Sequence, residues 1–168
     1  GVVRQCVLGS GMGQNFSGEI ADVAFFRLAE AAHGPTSGPG IRLYSRFKDD
    51  IFTVFRGSPA AARMWYQAME NKCKTIFTLK LESIHDTTCD VLDITIFKGP
   101  KWARTRLLDT RPFFKPSQRG PMLSSMSSHP HSVHSSWPTG RVKDYAALST
   151  SPHYALAAER SLVARLKR

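Results

Sequence analysis

The sequence predicts an α+β fold, an antiparallel sheet that carries an Asp-Asp hairpin, is backed by two helices, and is followed by a small, mostly helical, basic region. Three observations carry this expectation. Runs rich in β-branched and aromatic residues follow one another closely, as in LYSRFKDDIFTVF over residues 43–55, and antiparallel neighbours need only a hairpin between them. Two helical stretches with recognisable start and stop residues interrupt those runs, so that each can cover a sheet face. The charge is also unevenly placed: residues 1–98 hold 11 Lys and Arg against 10 Asp and Glu, whereas residues 99–168 hold 12 against 3. Nearly all of the formal charge of +10 therefore belongs to the C-terminal part.

Taken in order, VVRQCVLG reads as an apolar strand that leads through the glycine-rich loop GSGMGQNFSG into a helix from about Ser17 to Ala32. Ser17 suits the N-cap, Glu19 suits the first turn, and Gly34-Pro35 stops the helix. Ile20, Val23, Ala24 and Leu28 fall on its apolar face. The linker GPTSGPG then enters the hairpin, whose tip is Lys48-Asp49-Asp50. Ser58 caps a second helix with Pro59 at its first position, and Ala62, Trp65, Tyr66 and Met69 form the apolar face. TIFTLKLES and DVLDITIFKG read as two strands joined by the polar loop HDTTC, with RTRLLDTRPFF as a further strand or pair. From Lys115 to Gly140 the chain is a Ser-, Pro- and His-rich irregular connector. RVKDYAALST and HYALAAERSLVARLKR read as two final helices, the second with Leu156, Leu162, Val163 and Leu166 inward and Arg160, Arg165, Lys167 and Arg168 outward. The expected division is residues 1–115 and 116–168.

With 168 residues and 42% hydrophobic content, the chain can bury one core and a small appended subdomain. No apolar run approaches the roughly 18 residues of a membrane span, and the start lacks the basic, apolar, small-residue pattern of a secretory signal. An intracellular protein, nuclear or cytoplasmic and not secreted, with no membrane partner, is the expectation. Cys6, Cys73 and Cys89 are odd in number and widely spaced, which argues against a disulfide framework or a CxxC zinc site, so they read as reduced, buried, small apolar residues. The basic C-terminal part suits a phosphate backbone, because its cations release condensed counterions from nucleic acid. An anionic membrane surface or simple solubility fits the same charge.

Asp49 and Asp50 admit two readings. They are the solvent-facing polar tip of an ordinary turn, or they are paired carboxylates held on a stiff hairpin as ligands for hard divalent cations, which prefer oxygen. The glycine loop lacks the Gly-Lys-Ser/Thr ending of a P-loop and the GxGxxG spacing of a dinucleotide fold, which argues against both classical phosphate loops. A tight turn before a helix accounts for it, and the same small residues let a base or sugar approach the backbone. His129, His131 and His134 lack a nearby Cys or carboxylate to complete a zinc set and read as surface histidines in a loop. Phe113, Phe114 and Trp137 accompany the basic segment, and such rings stack on bases or sugars.

The ordered set is more specific than its members. GSGMGQNFSGEIADVAFF, then RFKDD, then VLDITI, then PFFKPSQ, SHPHSVHSSWP and an Arg141-containing helix together resemble the palm and thumb of reverse transcriptases, above all those of Penelope-like retroelements. The resemblance covers almost the whole chain. It implies the C-terminal half of a palm over residues 1–115 and a thumb-like basic helical region over residues 116–168. It further implies an RNA-directed DNA polymerase whose hairpin carboxylates, Asp49 foremost and Asp50 beside it, bind Mg²⁺ (or Mn²⁺) for two-metal nucleotidyl transfer to a primer 3′-hydroxyl. Gly11, Gly13, Gln14 and Ser17 would shape the pocket for nucleotide and template, and Phe47, where the family often has Tyr, would keep a ring beside the primer end. Gly18 stands at a usual Pro, and Phe113, Phe114, Lys115 and Arg141 would contact primer and duplex. The implied partners are an RNA template, a DNA primer or duplex and deoxynucleoside triphosphates.

The family's first catalytic aspartate and its fingers precede the glycine loop. The expectation is therefore a fragment that is inactive alone and needs an upstream polymerase half. Its alternatives are a non-catalytic nucleic-acid-binding relic and a metal-dependent nuclease.

Overall fold

The computed structural model of the chain describes residues 15–31, 40–115, 123 and 126–166. The expected opening strand, the glycine loop with Gly11, Gly13 and Gln14, and most of the linker before the hairpin lie outside the described residues. The chain divides into two units, Gly1–Ile84 and His85–Arg168.

In the first unit, helix α1 (Ser17–Phe25) continues into a π-helical turn (Phe26–Glu30). Helical hydrogen bonding begins at the Phe16 carbonyl, which accepts from the Ile20 amide at 3.0 Å, so Ser17 is the first helical residue and not the expected N-cap. The inward face also differs from the expected one. Phe25, Ala29 and Glu30 are buried and Leu28 packs beside them, whereas Ile20 and Val23 are each 52% exposed. The bulk of Phe25 and the ion pairing of Glu30, described below, select this face over the smaller aliphatic stripe.

Strands β1 (Ile41–Phe47) and β2 (Asp50–Phe55) form a two-stranded antiparallel sheet. Gly40 closes its base: the Arg56 amide donates to the Gly40 carbonyl, and at φ +102° a side chain there would lie 2.7 Å from the Arg56 carbonyl oxygen. Helix α2 (Pro59–Cys73) starts as expected, with the Ser58 hydroxyl accepting the Ala61 amide at 3.2 Å and Pro59 in the first turn. Met69 and Cys73 of α2 form the core with Phe25 and Ala29, and Leu28, Tyr44, Ile51, Trp65, Phe77 and Leu79 pack around it. Two helical segments thus cover one face of the hairpin, as its alternating residues require. Burial raises the pKa of the Cys73 thiol, consistent with a structural cysteine.

Residues 75–83, expected as a strand, pair with no strand among the described residues. Side-chain contacts hold them instead: Phe77 meets the Phe25 ring edge-on at 5.3 Å, and the Leu79 carbonyl accepts the Tyr66 hydroxyl at 2.9 Å.

The second unit contains a three-stranded antiparallel sheet in the order β3 (Thr88–Val91), β4 (Ile94–Phe97) and β5 (Asp109–Pro112). DVLDITIFKG is therefore not one strand but a second hairpin, folded at Leu92-Asp93 with Leu92 at φ +52°. Two bonds hold this fold: the Thr95 hydroxyl donates to Asp90 Oδ1 at 2.5 Å, and the Phe113 amide donates to the Asp93 carbonyl at 2.8 Å. Cys89, expected to be buried, is only half-buried on β3, a strand at the edge of its sheet. Among the described residues, the single sheet expected from the strand runs is replaced by two small antiparallel sheets, one in each unit, together with five α-helices. This is an α+β architecture.

A single-turn helix α3 (Trp102–Thr105) precedes β5, and helices α4 (His131–Ala147) and α5 (Pro152–Leu166) complete the unit. Helix α4 starts within the stretch read as connector and runs through Pro138. Tyr145, Ala158 and Leu162 form the second core, with Phe114, Trp137 and Val142 against it. The turn between α4 and α5 is tied to β5, since the Thr110 amide donates to Thr150 Oγ1 at 3.0 Å, the Thr150 amide donates to the Thr110 carbonyl at 3.1 Å, and the Thr110 hydroxyl reaches the Leu148 carbonyl at 2.8 Å. Of the four α5 residues expected inward, only Leu162 is buried. Leu156 is 52% exposed, and Val163 and Leu166 are each 43% exposed, because Leu162 and Ala158, not the wider stripe, meet Tyr145. Among the described residues no helix is long and apolar enough to cross a membrane.

Candidate functional site

The β1–β2 register pairs Phe47 with Asp50, so the tip is the two-residue turn Lys48-Asp49, with Lys48 at φ +53°, and Asp50 opens β2. Side chains alternate across a strand. Tyr44 and Arg46, with cross-strand partners Thr53 and Ile51, turn to the helix-covered face. Leu43, Ser45 and Phe47, with Val54, Phe52 and Asp50, turn to the other. Phe47 and the Asp50 carboxylate therefore share a face at the open end of the hairpin, where Phe47, Asp49 and Asp50 are all exposed.

Beneath this tip lies an ion-pair network that the sequence did not announce. The Arg46 guanidinium donates through Nε to Glu30 Oε1 at 2.8 Å, through Nη2 to Glu30 Oε2 at 3.3 Å and through Nη1 to Asp22 Oδ1 at 2.5 Å. Nη1 also reaches the Lys48 carbonyl at 3.1 Å, so the same side chain grips the turn itself. Its flat face covers the Phe25 ring at 5.2 Å, and the Tyr44 hydroxyl donates to Glu30 Oε1 at 2.7 Å. Glu30 is buried, and hydrogen bonding to it raises the pKa of Arg46 further, keeping the guanidinium charged. Burial, followed by the bond to Glu30, raises the pKa of the Tyr44 hydroxyl and keeps it neutral. The only advance signal was a charged residue, Arg46, alternating with Tyr44 on what had to be a covered strand face.

By contrast, the side chains of Asp49 and Asp50 have no hydrogen-bond or ion-pair partner among the described residues. Two adjacent open carboxylates on a braced turn offer oxygens of the type that hard divalent cations prefer. Among the described residues no group of three His, Cys, Asp or Glu converges to hold a metal. Ser17, the remaining described residue of the expected nucleotide pocket, opens α1.

The expected primer-contacting residues lie in the second unit. Phe114 is engaged in its core, edge-on to Tyr145 at 5.4 Å and covered by Arg165 at 4.4 Å. Phe113 is half-buried beside it, Lys115 is exposed, and Arg141 on α4 pairs with Asp144 at 3.4 Å. The same unit carries two sets of cation–ring contacts missed in the sequence. Lys98 and Arg106 lie over Trp102 at 5.4 and 6.0 Å, and Arg111 lies over Phe97 at 5.1 Å. Of the histidines read as lying in a loop, only His129 precedes α4, whereas His131 and His134 are in its first turn; His134 Nε2 lies 3.1 Å from the Ser127 carbonyl and His129 Nδ1 lies 2.5 Å from Ser127 Oγ.

No family model matches the chain, and neither a curated protein nor a solved structure shows significant similarity to it.

Proposed function

We propose that the chain is part of an RNA-directed DNA polymerase of a retroelement, with Asp49 and Asp50 as ligands for Mg²⁺ or Mn²⁺. The observation that carries this reading is the contrast between an exposed carboxylate pair and the part-buried Arg46–Glu30 clamp that grips the turn bearing it. Fixing the turn places charge before the metal arrives, which is what an in-line phosphoryl displacement requires. The bound metal supplies activation of the primer 3′-hydroxyl and charge neutralisation on the leaving pyrophosphate. Phe47, sharing a face with Asp50, would border the primer end. RNA template, DNA primer or duplex and deoxynucleoside triphosphates are the substrates of this reading. Two carboxylates do not complete a two-metal site, so an upstream polymerase half would contribute a further ligand.

The test combines Mn²⁺ binding with primer extension on a primed RNA template. Asp49→Asn is expected to weaken Mn²⁺ binding at least tenfold, about the effect of losing one charged ligand. Extension is expected only from the chain joined to an upstream half, and to vanish with Asp49→Asn. Unchanged Mn²⁺ affinity in the variant overturns the reading.

The second reading, nucleic-acid binding without catalysis, draws on the cations held against Trp102 and Phe97. It predicts salt-sensitive duplex binding that survives Asp49→Asn with no extension under any complementation. Mg²⁺-dependent cleavage without nucleotides would instead mark a nuclease.

A further inference from the structure

Helix α5 places Leu156, Glu159, Arg160 and Val163 at i, i+3, i+4 and i+7, on one face. With Ala164 they line a shallow groove of about 460 Å³, and Leu156 and Val163 are about half exposed. The charges are unusual for their surroundings. Every residue three or four positions from Glu159 is Ala155, Leu156, Leu162 or Val163, and every residue so placed around Arg160 is Leu156, Ala157, Val163 or Ala164. Neither charge therefore has an ion-pair partner on its own helix, and adjacent residues on a helix diverge too far to pair with each other. Among the described residues neither makes a salt bridge elsewhere.

A second copy of the same helix, packed antiparallel about a two-fold axis between Glu159 and Arg160, satisfies all four residues together. In that register Leu156 of one copy meets Val163 of the other, and Glu159 meets Arg160 of the other, each twice. The face is thus complementary to itself in both shape class and charge, which is the requirement of an isologous two-fold interface. We infer that the exposed α5 face is a self-association surface, and that the chain forms an antiparallel dimer through Leu156, Glu159, Arg160 and Val163. One helix face per copy is a small interface, so the dimer forms at about 100 µM chain and dissociates at about 1 µM.

Sedimentation equilibrium on the 168-residue chain and its charge variants tests this, with circular dichroism checking that each variant keeps its helices. Glu159→Arg sets an introduced guanidinium against Arg160 across the axis, and Arg160→Glu sets an introduced carboxylate against Glu159. Each variant alone is expected to lose self-association by about tenfold or more. Mixing the two restores opposite charges at both contacts, so a heterodimer is expected from two chains that are monomeric separately. The double variant, with both charges exchanged, is expected to dimerise as the parent does. A parent that stays monomeric over this range overturns the inference, as does association that survives both single changes or a mixture that stays monomeric. Association through another face would appear as the second of these results.

Discussion

The two hairpins of this chain are built on nearly the same turn and secure it differently. Each tip is a two-residue turn ending in aspartate, Lys48-Asp49 and Leu92-Asp93, and each first residue is a non-glycine at φ +53° or +52°. The β3–β4 hairpin is secured within its own sheet: Asp90 takes the Thr95 hydroxyl and the Asp93 backbone carbonyl takes the Phe113 amide. In the β1–β2 hairpin the fold is secured from below by Arg46, Glu30 and Asp22, and the tip carboxylates have no partner among the described residues. The first tip thus carries two adjacent exposed carboxylates, Asp49 and Asp50, whereas the second carries Asp93 alone beside Ile94.

The strongest way to break this comparison is to remove the brace. Glu30→Ala leaves the Arg46 guanidinium largely buried with one carboxylate gone, and is expected to cost about 3 kcal/mol in urea unfolding. Asp22→Ala removes a half-exposed partner and is expected to cost about 0.5 kcal/mol, so equal losses would mean that burial is not what makes the brace strong. In the other hairpin, Thr95→Val deletes the buried donor to Asp90 and is expected to cost about 1 kcal/mol by the same measurement.

Turn strain should be alike in the two hairpins. Lys48→Gly and Leu92→Gly each relieve a left-handed side chain, offset by the added freedom of the unfolded chain, and each is expected to stabilise by about 0.5 kcal/mol. The smallest effect on folding belongs to Asp49→Asn, expected within about 0.5 kcal/mol of the parent because the exposed side chain has no partner among the described residues. A large loss there would place Asp49 in the fold and remove the contrast between the tips.

The pH dependence sharpens the same point. The Tyr44 hydroxyl titrates above its ordinary 10.0 in the folded chain. Its contribution is therefore complete below pH 10 and is lost as the pH rises through the folded value, since the unfolded chain ionises first. Tyr44→Phe is expected to make the alkaline decline in stability shallower, read from urea midpoints across that range. An unchanged alkaline slope would show that burial and the bond to Glu30 do not hold the hydroxyl in solution.

Local rules made part of this legible in advance. The start of α2 needed only Ser58 and Pro59, whose capping bond and fixed φ act within one turn, and Trp65 and Met69 followed from helical periodicity. The β1–β2 hairpin and its aspartates were legible because polar residues break an otherwise apolar, β-branched run. The second hairpin was not, because Val91-Leu92-Asp93-Ile94 offers neither glycine nor asparagine to mark a left-handed turn. On α5 the apolar stripe was readable, but not which part of it Tyr145 would cover.

By itself the sequence determined the helical and strand-forming segments, the carboxylates at a hairpin tip and the concentration of charge near the C-terminus. These depend on residues within a few positions of one another. Only the tertiary structure decided that the strands form two sheets, that Arg46 and Glu30 meet across 16 residues, and that part of α5 is left exposed. Pairing, burial and desolvation depend on which surfaces meet, and periodicity shows that a surface exists without naming the one that covers it.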